Sequence, residues 1–278
     1  MDVSLRRELG AHLRAARAVV TPQDVGLSGG GRRRAPGLRR EEVAALAGVS
    51  VAWYTWLEQG RVTTSRQVVD AVCRALRMGP DAHRHALSLA GFLPTAPLAG
   101  QGRAAGSPES RKLIDSWRTT PSLLLDERLD IMAGNAAHHR LWGDPGDLPD
   151  ERRNLLLWLA SGPPGANPVA DPEPLLRGLY EHFRTAVGHA PDDRRALDII
   201  RLLHQERPDA AHWWQCRAVA SFRPTTVEAT NAAGTGPGTL TLTFSLLRPV
   251  ADADVLLLTQ TPDDSATAEL LERLATAH

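Results

Sequence analysis

Leu38 to Arg61 reads LRREEVAALAGVSVAWYTWLEQGR, and the fold of the N-terminal part of the chain turns on it. From Arg39 to Ala47 the apolar residues Val43, Leu46 and Ala47 recur at intervals of three and four, the stripe of an amphipathic helix, with Glu41 and Glu42 in the first turn where the helix dipole favours acids. Gly48 stops that helix. Ser50 is placed to cap a second one, whose inward face is Trp53, Tyr54 and Leu57, and Gly60 is placed to end it in a left-handed cap. Two short helices around a glycine turn make a helix-turn-helix pattern, with a spacing suited to the major groove of DNA.

The surrounding sequence extends this into a bundle. Leu5, Leu9 and Leu13 form a stripe on a helix from Leu5 to Ala18, and Thr21 to Asp24 has the look of a single helical turn. Val68, Val69, Val72 and Leu76 line one face of a helix from Ser65 to Leu76. Ala82, Ala86 and Leu89 line another from Asp81 to Ala90, with Asp81 as its cap. The fold class expected for residues 1–93 is therefore an all-α bundle. Between its first and second helices lies Ser28 to Gly37, SGGGRRRAPG, where glycines give reach and arginines give charge. Beside a groove-reading helix, such an arm suits phosphate contacts or entry into the minor groove.

The formal charge of the whole chain is zero, but residues 1–93 hold 14 Arg against 8 Asp and Glu, a net of +6, and the remainder balances it. Five of those arginines fall between Arg32 and Arg40, which points to a polyanionic partner. Cys73 and Cys216 form no CxxC pair, so neither a disulfide framework nor a zinc site is expected; Cys73 reads as a small packing residue. The N-terminus lacks the pattern of a signal peptide and the leucine runs are too short to span a bilayer, so a cytoplasmic protein with no membrane partner is expected.

Residues 94–110, rich in Pro, Gly, Ala and Ser, read as a linker, and residues 111–278 as a second domain. There, the end of a helix at Leu113 to Arg118 is followed by strands at Ser122 to Asp126 and Leu129 to Ala133, and Asn135 is placed to cap a helix through Leu141. Helices follow at Arg152 to Ala160, Pro174 to Val187, Asp192 to Glu206 and around Ala210 to Gln215. Strands are expected at Cys216 to Phe222, Thr239 to Leu247 and Val255 to Thr259, with a glycine-rich turn at Ala232 to Gly238 and a closing helix from Ser265 to Ala275. This is an α+β domain with an antiparallel sheet of about five strands.

The stretch GGRRRAPGLRREEVAALAGVSVAWYTWLEQGR, followed by LIDSW and PSLLLDERLDIMAGNAA, resembles the actinobacterial XRE-type helix-turn-helix regulators that carry an MmyB-like ligand-binding domain. The resemblance implies that the bundle binds double-stranded DNA as a homodimer, on a palindromic operator. It also implies that the second domain has a PAS-like fold sensing a fatty-acyl or similar hydrophobic effector. On the family pattern the base-facing positions are Arg40, Ser50, Val51, Ala52, Thr55 and Trp56, with Arg40 the candidate for bidentate contact with guanine. Arg32, Arg33, Arg34, Arg39 and Arg61 form the phosphate-contacting set. Trp56 departs from the polar or basic residue usual in the family, and it either faces DNA or packs internally. Arg217 stands where a histidine is expected.

Residues available to line an apolar effector site are Trp117, Met132, Leu155, Trp158, Leu159, Tyr180, Phe183, Trp214 and Leu247, which together suggest a roomy apolar centre; Arg153, Arg217 and His182 are candidate anchors for a carboxylate. An enzyme is not expected. His138-His139, Asp192-Asp193 and Asp263-Asp264 are adjacent pairs whose side chains diverge, and GxSxG, HExxH, P-loop and GxGxxG motifs are missing. A PAS-like sensor holding haem or flavin is the alternative, although no CxxCH attachment motif is present and no cofactor is expected.

Overall fold

A computed structural model describes residues 2–27, 37–93, 106–161, 167–210, 212–213, 219–230, 239–250, 252 and 254–276. The chain divides into two compact units, one built on Met1–Thr95, to which the short segments Val187–Asp193 and Ala211–Ala220 are assigned, and one built on the remainder.

The first unit is helical: α1 (Val3–Val19), a 3-10 turn (Gln23–Val25), α2 (Arg40–Ala47), α3 (Val51–Glu58), α4 (Arg66–Ala75) and α5 (Pro80–Leu89). Ser50 caps α3 as its sequence position suggests, the hydroxyl accepting from the Trp53 N–H at 3.2 Å. Gly48 and Gly60 both have φ of +69°, closing α2 and α3. At Gly60 the requirement is double, because a Cβ there would lie 2.8 Å from the Arg7 backbone nitrogen. Gly10 in α1 lets the same two helices meet from the other side: its Cβ would fall 2.4 Å from the Glu58 carbonyl oxygen. The core is Leu9, Leu13, Leu38, Val43, Tyr54, Leu57, Val69, Val72, Cys73, Leu76 and Leu89. Burial pushes the Cys73 thiol up to about 12, as befits a packing residue.

Two expectations are corrected in this unit. Leu46 is largely exposed, because the inward stripe of α2 runs through Val43 and Ala44. Asp81 does not cap α5; Gly79 does, with Pro80 in the first turn where its missing N–H has no bond to lose.

The second unit is α+β. Its sheet has the order β2-β1-β5-β4-β3, all antiparallel, formed by β1 (Ser122–Leu125), β2 (Ile131–Gly134), β3 (Thr225–Thr230), β4 (Thr239–Leu247) and β5 (Leu256–Pro262). β1 and β5 occupy the interior of the sheet, and their runs Ser122–Leu125 and Leu256–Gln260 are buried throughout. β4, nearer the edge, alternates with Leu240, Leu242 and Phe244 facing in. Around the sheet lie α6 (Pro108–Ser116), α7 (Ala136–Trp142), α8 (Leu155–Ala160), α9 (Glu173–Val187), α10 (Arg194–Glu206) and α11 (Ser265–Thr276).

Asn135 ties these parts together. Its Oδ1 accepts from the backbone N–H of Ser122 at 3.0 Å and of His138 at 2.9 Å, starting β1 and capping α7. Its amide nitrogen lies 2.9–3.0 Å from the carbonyls of Ile114, Trp117 and Thr120. Asn154 does the same for α8, accepting from Leu156 and Leu157, so that helix starts at Leu155 and not at Arg152, which belongs to a preceding 3-10 turn. In the β1–β2 turn, Asp126 Oδ1 accepts from the N–H of Arg128 and Asp130, each at 2.8 Å, and Arg195 clamps Asp130 in three bonds, Nε donating to both carboxylate oxygens and Nη2 to Oδ1.

The third strand is also corrected. Val219 to Phe222 are not in a strand; β3 begins at Thr225, past Pro224, with Val227 and Ala229 facing in between polar neighbours. That period-two alternation is the sequence signal, and the more apolar run before it drew attention away from it. Helix α6 begins at Pro108, capped by Ser107, inside the stretch read as linker. Of the helix expected around Ala210 to Gln215, only a 3-10 turn at Pro208–Ala210 and His212 and Trp213 lie within the described residues. The turn at 232–238 lies outside them.

Candidate nucleic-acid interface and buried cavity

The outward surface of α3 is apolar. Val51 and Trp56 are each 47% exposed and Ala52 is exposed beside them, so Trp56 does not pack into the bundle. Of the hydroxyls here, that of Tyr54 is buried and those of Ser50 and Thr55 are turned to the helix's own backbone: Ser50 is the cap, and Thr55 Oγ1 donates to the Val51 carbonyl at 2.8 Å. Arg39 and Arg61 are exposed at the two ends of the helix pair. Arg32, Arg33 and Arg34 lie outside the described residues.

Arg40 is held by a residue that sequence reasoning passed over. The Glu58 side chain is fully buried at the end of α3 and accepts from Arg40 Nε at 2.7 Å and from Arg17 Nε at 2.6 Å. Arg17 also donates to the Leu38 carbonyl, and Arg14 to the Glu58 carbonyl. Burial alone would raise the Glu58 carboxyl, but hydrogen bonds from Arg17 and then Arg40 outweigh it and hold the group below the usual carboxylate range. Nε is engaged, the Arg40 side chain is 41% exposed, and among the described residues its Nη edge has no further partner. A signal for Glu58 was present: a carboxylate in the last turn of a helix opposes the dipole and calls for cations.

In the second unit most residues proposed to line an effector site are packed. Leu155, Leu159, Tyr180 and Phe183 are buried, the last two stacked with ring centroids 6.3 Å apart. Trp117 and Met132 are half-buried against Ile114, Leu124, Val255 and Leu257. Leu247 is corrected: it is 49% exposed near the end of β4 and points away from the core. Trp214 lies outside the described residues. Among the described residues a cavity of about 50 Å³ is bordered by His138, Trp142, Asp144, Leu148 and Trp158 with Leu123 and Ile131 from the sheet. Trp158 is the member of the expected set that reaches it.

Of the proposed carboxylate anchors, Arg153 is used to brace the loop before α8, its Nη2 donating to the carbonyls of Gly146 and Leu148 at 3.0 and 3.1 Å. His182 is half-buried on α9; burial holds its pKa below the usual imidazole value, Glu127 opposing this and Arg248 adding to it. Arg217 lies outside the described residues. Of the paired titratable residues, His138 is buried and His139 is half-buried, with ring centroids 6.4 Å apart at 78°, so the two diverge as adjacent helical residues do. Among the described residues no three His, Cys, Asp or Glu side chains come together to hold a metal ion, and no helix is long and apolar enough to cross a membrane.

Residues 107–274 match the family model described as the MmyB-like transcription regulator ligand binding domain, and residues 8–87 match one described as a helix-turn-helix domain. No curated protein matches the chain.

Proposed function

The chain belongs to the MmyB-like transcription regulators, joining a helix-turn-helix domain to a ligand-binding domain, and from that premise we propose that it binds a palindromic operator as a homodimer in the cytoplasm and releases or engages it in response to a fatty-acyl or similar hydrophobic effector. It acts by binding rather than by catalysis. The observation that carries the DNA reading is the character of α3: apolar Val51, Ala52 and Trp56 outward, the hydroxyls of Ser50 and Thr55 turned to the backbone, and arginines at either end. Such a helix reads thymine methyls and shape, while phosphate contacts supply most of the affinity. Arg40, steadied by Glu58, is the base-reading side chain, and the arginine arm adds the rest of the charge.

The experiment is operator selection from random DNA by the full-length protein, followed by binding at a series of salt concentrations. Neutralising Arg33 and Arg34 together is expected to flatten the log–log slope by about two units, one per phosphate contact. An unchanged slope removes the arm from the interface. Failure to enrich any sequence overturns sequence-specific recognition.

For the effector, the supporting observation is a cavity against β1 and β2 with Trp142 and Trp158 among its lining residues. Occupancy by a ligand that prefers one domain arrangement is what would shift DNA affinity, since equal affinity for both shifts nothing.

A further inference from the structure

Helix α3 presents no charge to the outside. Of its eight residues, VAWYTWLE, the only charged one is Glu58, and that carboxylate is buried against Arg17 and Arg40. Tyr54 and Leu57 fill the core, and Trp53 packs against it half-buried. Val51, Ala52 and Trp56 are left outward, on one face with Thr55, since neighbours on a helix stand three and four residues apart. The helix itself uses up hydrogen-bonding capacity on that face. Thr55 spends its hydroxyl proton on the Val51 carbonyl at 2.8 Å, and the Ser50 hydroxyl accepts the Trp53 N–H at 3.2 Å. Polar reach is gathered instead at the C-terminal end, in Arg40 on Glu58 and in exposed Gln59 and Arg61. The N-terminal half offers carbon.

We propose that α3 reads the C5 methyl group of a pyrimidine and not the base pair that carries it, so that 5-methylcytosine serves in place of thymine and cytosine methylation creates binding sites for this protein. The inference rests on reading α3 as the helix that enters the major groove. There the N-terminal residues of such a helix meet the base edges, and in this chain they are Val51 and Ala52. Thymine and 5-methylcytosine hold the same methyl at the same place in the groove. They differ at position 4, an acceptor oxygen in one and a donor NH₂ in the other, and in the partner purine. Telling them apart takes a donor or an acceptor aimed at that edge. Val51 and Ala52 have neither, and Thr55 has its proton committed. The methyl itself, one carbon taken out of water against carbon, is worth about fourfold in affinity. Charge agrees with a polyanion as the occupant: the outward face of α3 bears no carboxylate, and Arg39 and Arg61 are exposed at the ends of the helix pair.

The test uses the full-length protein and the operator it selects from random DNA, remade with uracil, cytosine or 5-methylcytosine at each selected thymine in turn, every base with its pairing partner. Equilibrium binding is compared at one salt concentration. Uracil keeps the pairing and loses only the methyl, so it is expected to weaken binding by about fourfold at each contacted position, and cytosine by at least as much. 5-Methylcytosine should restore binding to within about twofold of thymine. Val51→Thr, which exchanges an exposed methyl for a hydroxyl of similar size, should shrink the uracil penalty at one or more positions. A selected operator without thymine, uracil equal to thymine at every position, 5-methylcytosine no better than cytosine, or uracil penalties unchanged by Val51→Thr overturns the proposal. If this face joined two copies of the chain instead, affinity would be indifferent to the methyl. The two readings fail differently: an enriched operator indifferent to the methyl leaves DNA recognition standing and removes the methyl rule, whereas no enrichment of any sequence removes both.

Discussion

Replacing Glu58 by Gln is expected to destabilise the helical unit more than any other single exchange of a charged residue there. The carboxylate is fully buried and receives Arg17 and Arg40 at 2.6 and 2.7 Å, the first arginine 17% and the second 41% exposed. Removing one partner of a buried ion pair costs about 3–5 kcal/mol. Solvent reaching Arg40 lowers its share, and the glutamine oxygen keeps one acceptor, so roughly 2–3 kcal/mol is the working figure. For a unit of this size each kcal/mol moves the melting temperature by about 4–8 °C, which predicts a fall on the order of 10–20 °C. The sign with pH is defined. The folded carboxyl is held below its ordinary value of 4.5, so its contribution is present above that value and disappears as the pH falls through the folded pKa. Melting followed by far-ultraviolet circular dichroism at neutral pH and near pH 3 checks both points, and the gap between wild type and variant should narrow in acid. A variant melting within about 2 °C of wild type at neutral pH, or a gap independent of pH, would refute the reasoning.

Three further outcomes are expected. Asn135→Ala removes a fully committed buried amide and leaves the Ser122 and His138 N–H groups without their acceptor; a loss of about 2–4 kcal/mol should appear in urea unfolding of the second unit. Asp126→Asn should stabilise that unit above about pH 6, because burial, and after it the charge of Asp130, pushes the Asp126 carboxyl up to about 6. As a raised acid it favours folding only at low pH, and its cost grows as the pH climbs from 3.8 to about 6; stability curves of the two proteins that run parallel with pH would contradict this. Gly60→Ala sets a Cβ at φ +69° and 2.8 Å from the Arg7 nitrogen, with an expected loss of about 1–3 kcal/mol and a matching shift in melting; no shift would mean that α1 yields at this point.

Local chemistry carried much of the fold into view. The caps at Ser50 and Asn135, the glycine stops at Gly48 and Gly60, and the alternation in Thr239–Leu247 act between residues a few positions apart, so they are written in the order of the letters. The same holds for the charge of the arginine arm and for the poverty of α3 in hydrogen-bonding groups. Even so, local reading misplaced the third strand and gave Leu46 an inward place, because apolar character by itself does not say which side of an element its neighbours will cover.

What the tertiary structure alone decided are the partnerships across long stretches of chain. Glu58 meets Arg17 from 41 residues away, and Gln260 meets His138 from 122 away. Neither pair has a periodic or spacing signature, since a hydrogen bond between distant segments constrains position in space and leaves the intervening sequence unmarked. So sequence alone identified a helix pair with an apolar outer face and a domain able to bury a sheet. Packing alone determined which arginine is steadied at that face, and which glutamine meets the buried histidine of α7, because both depend on a desolvated partner brought in by the fold.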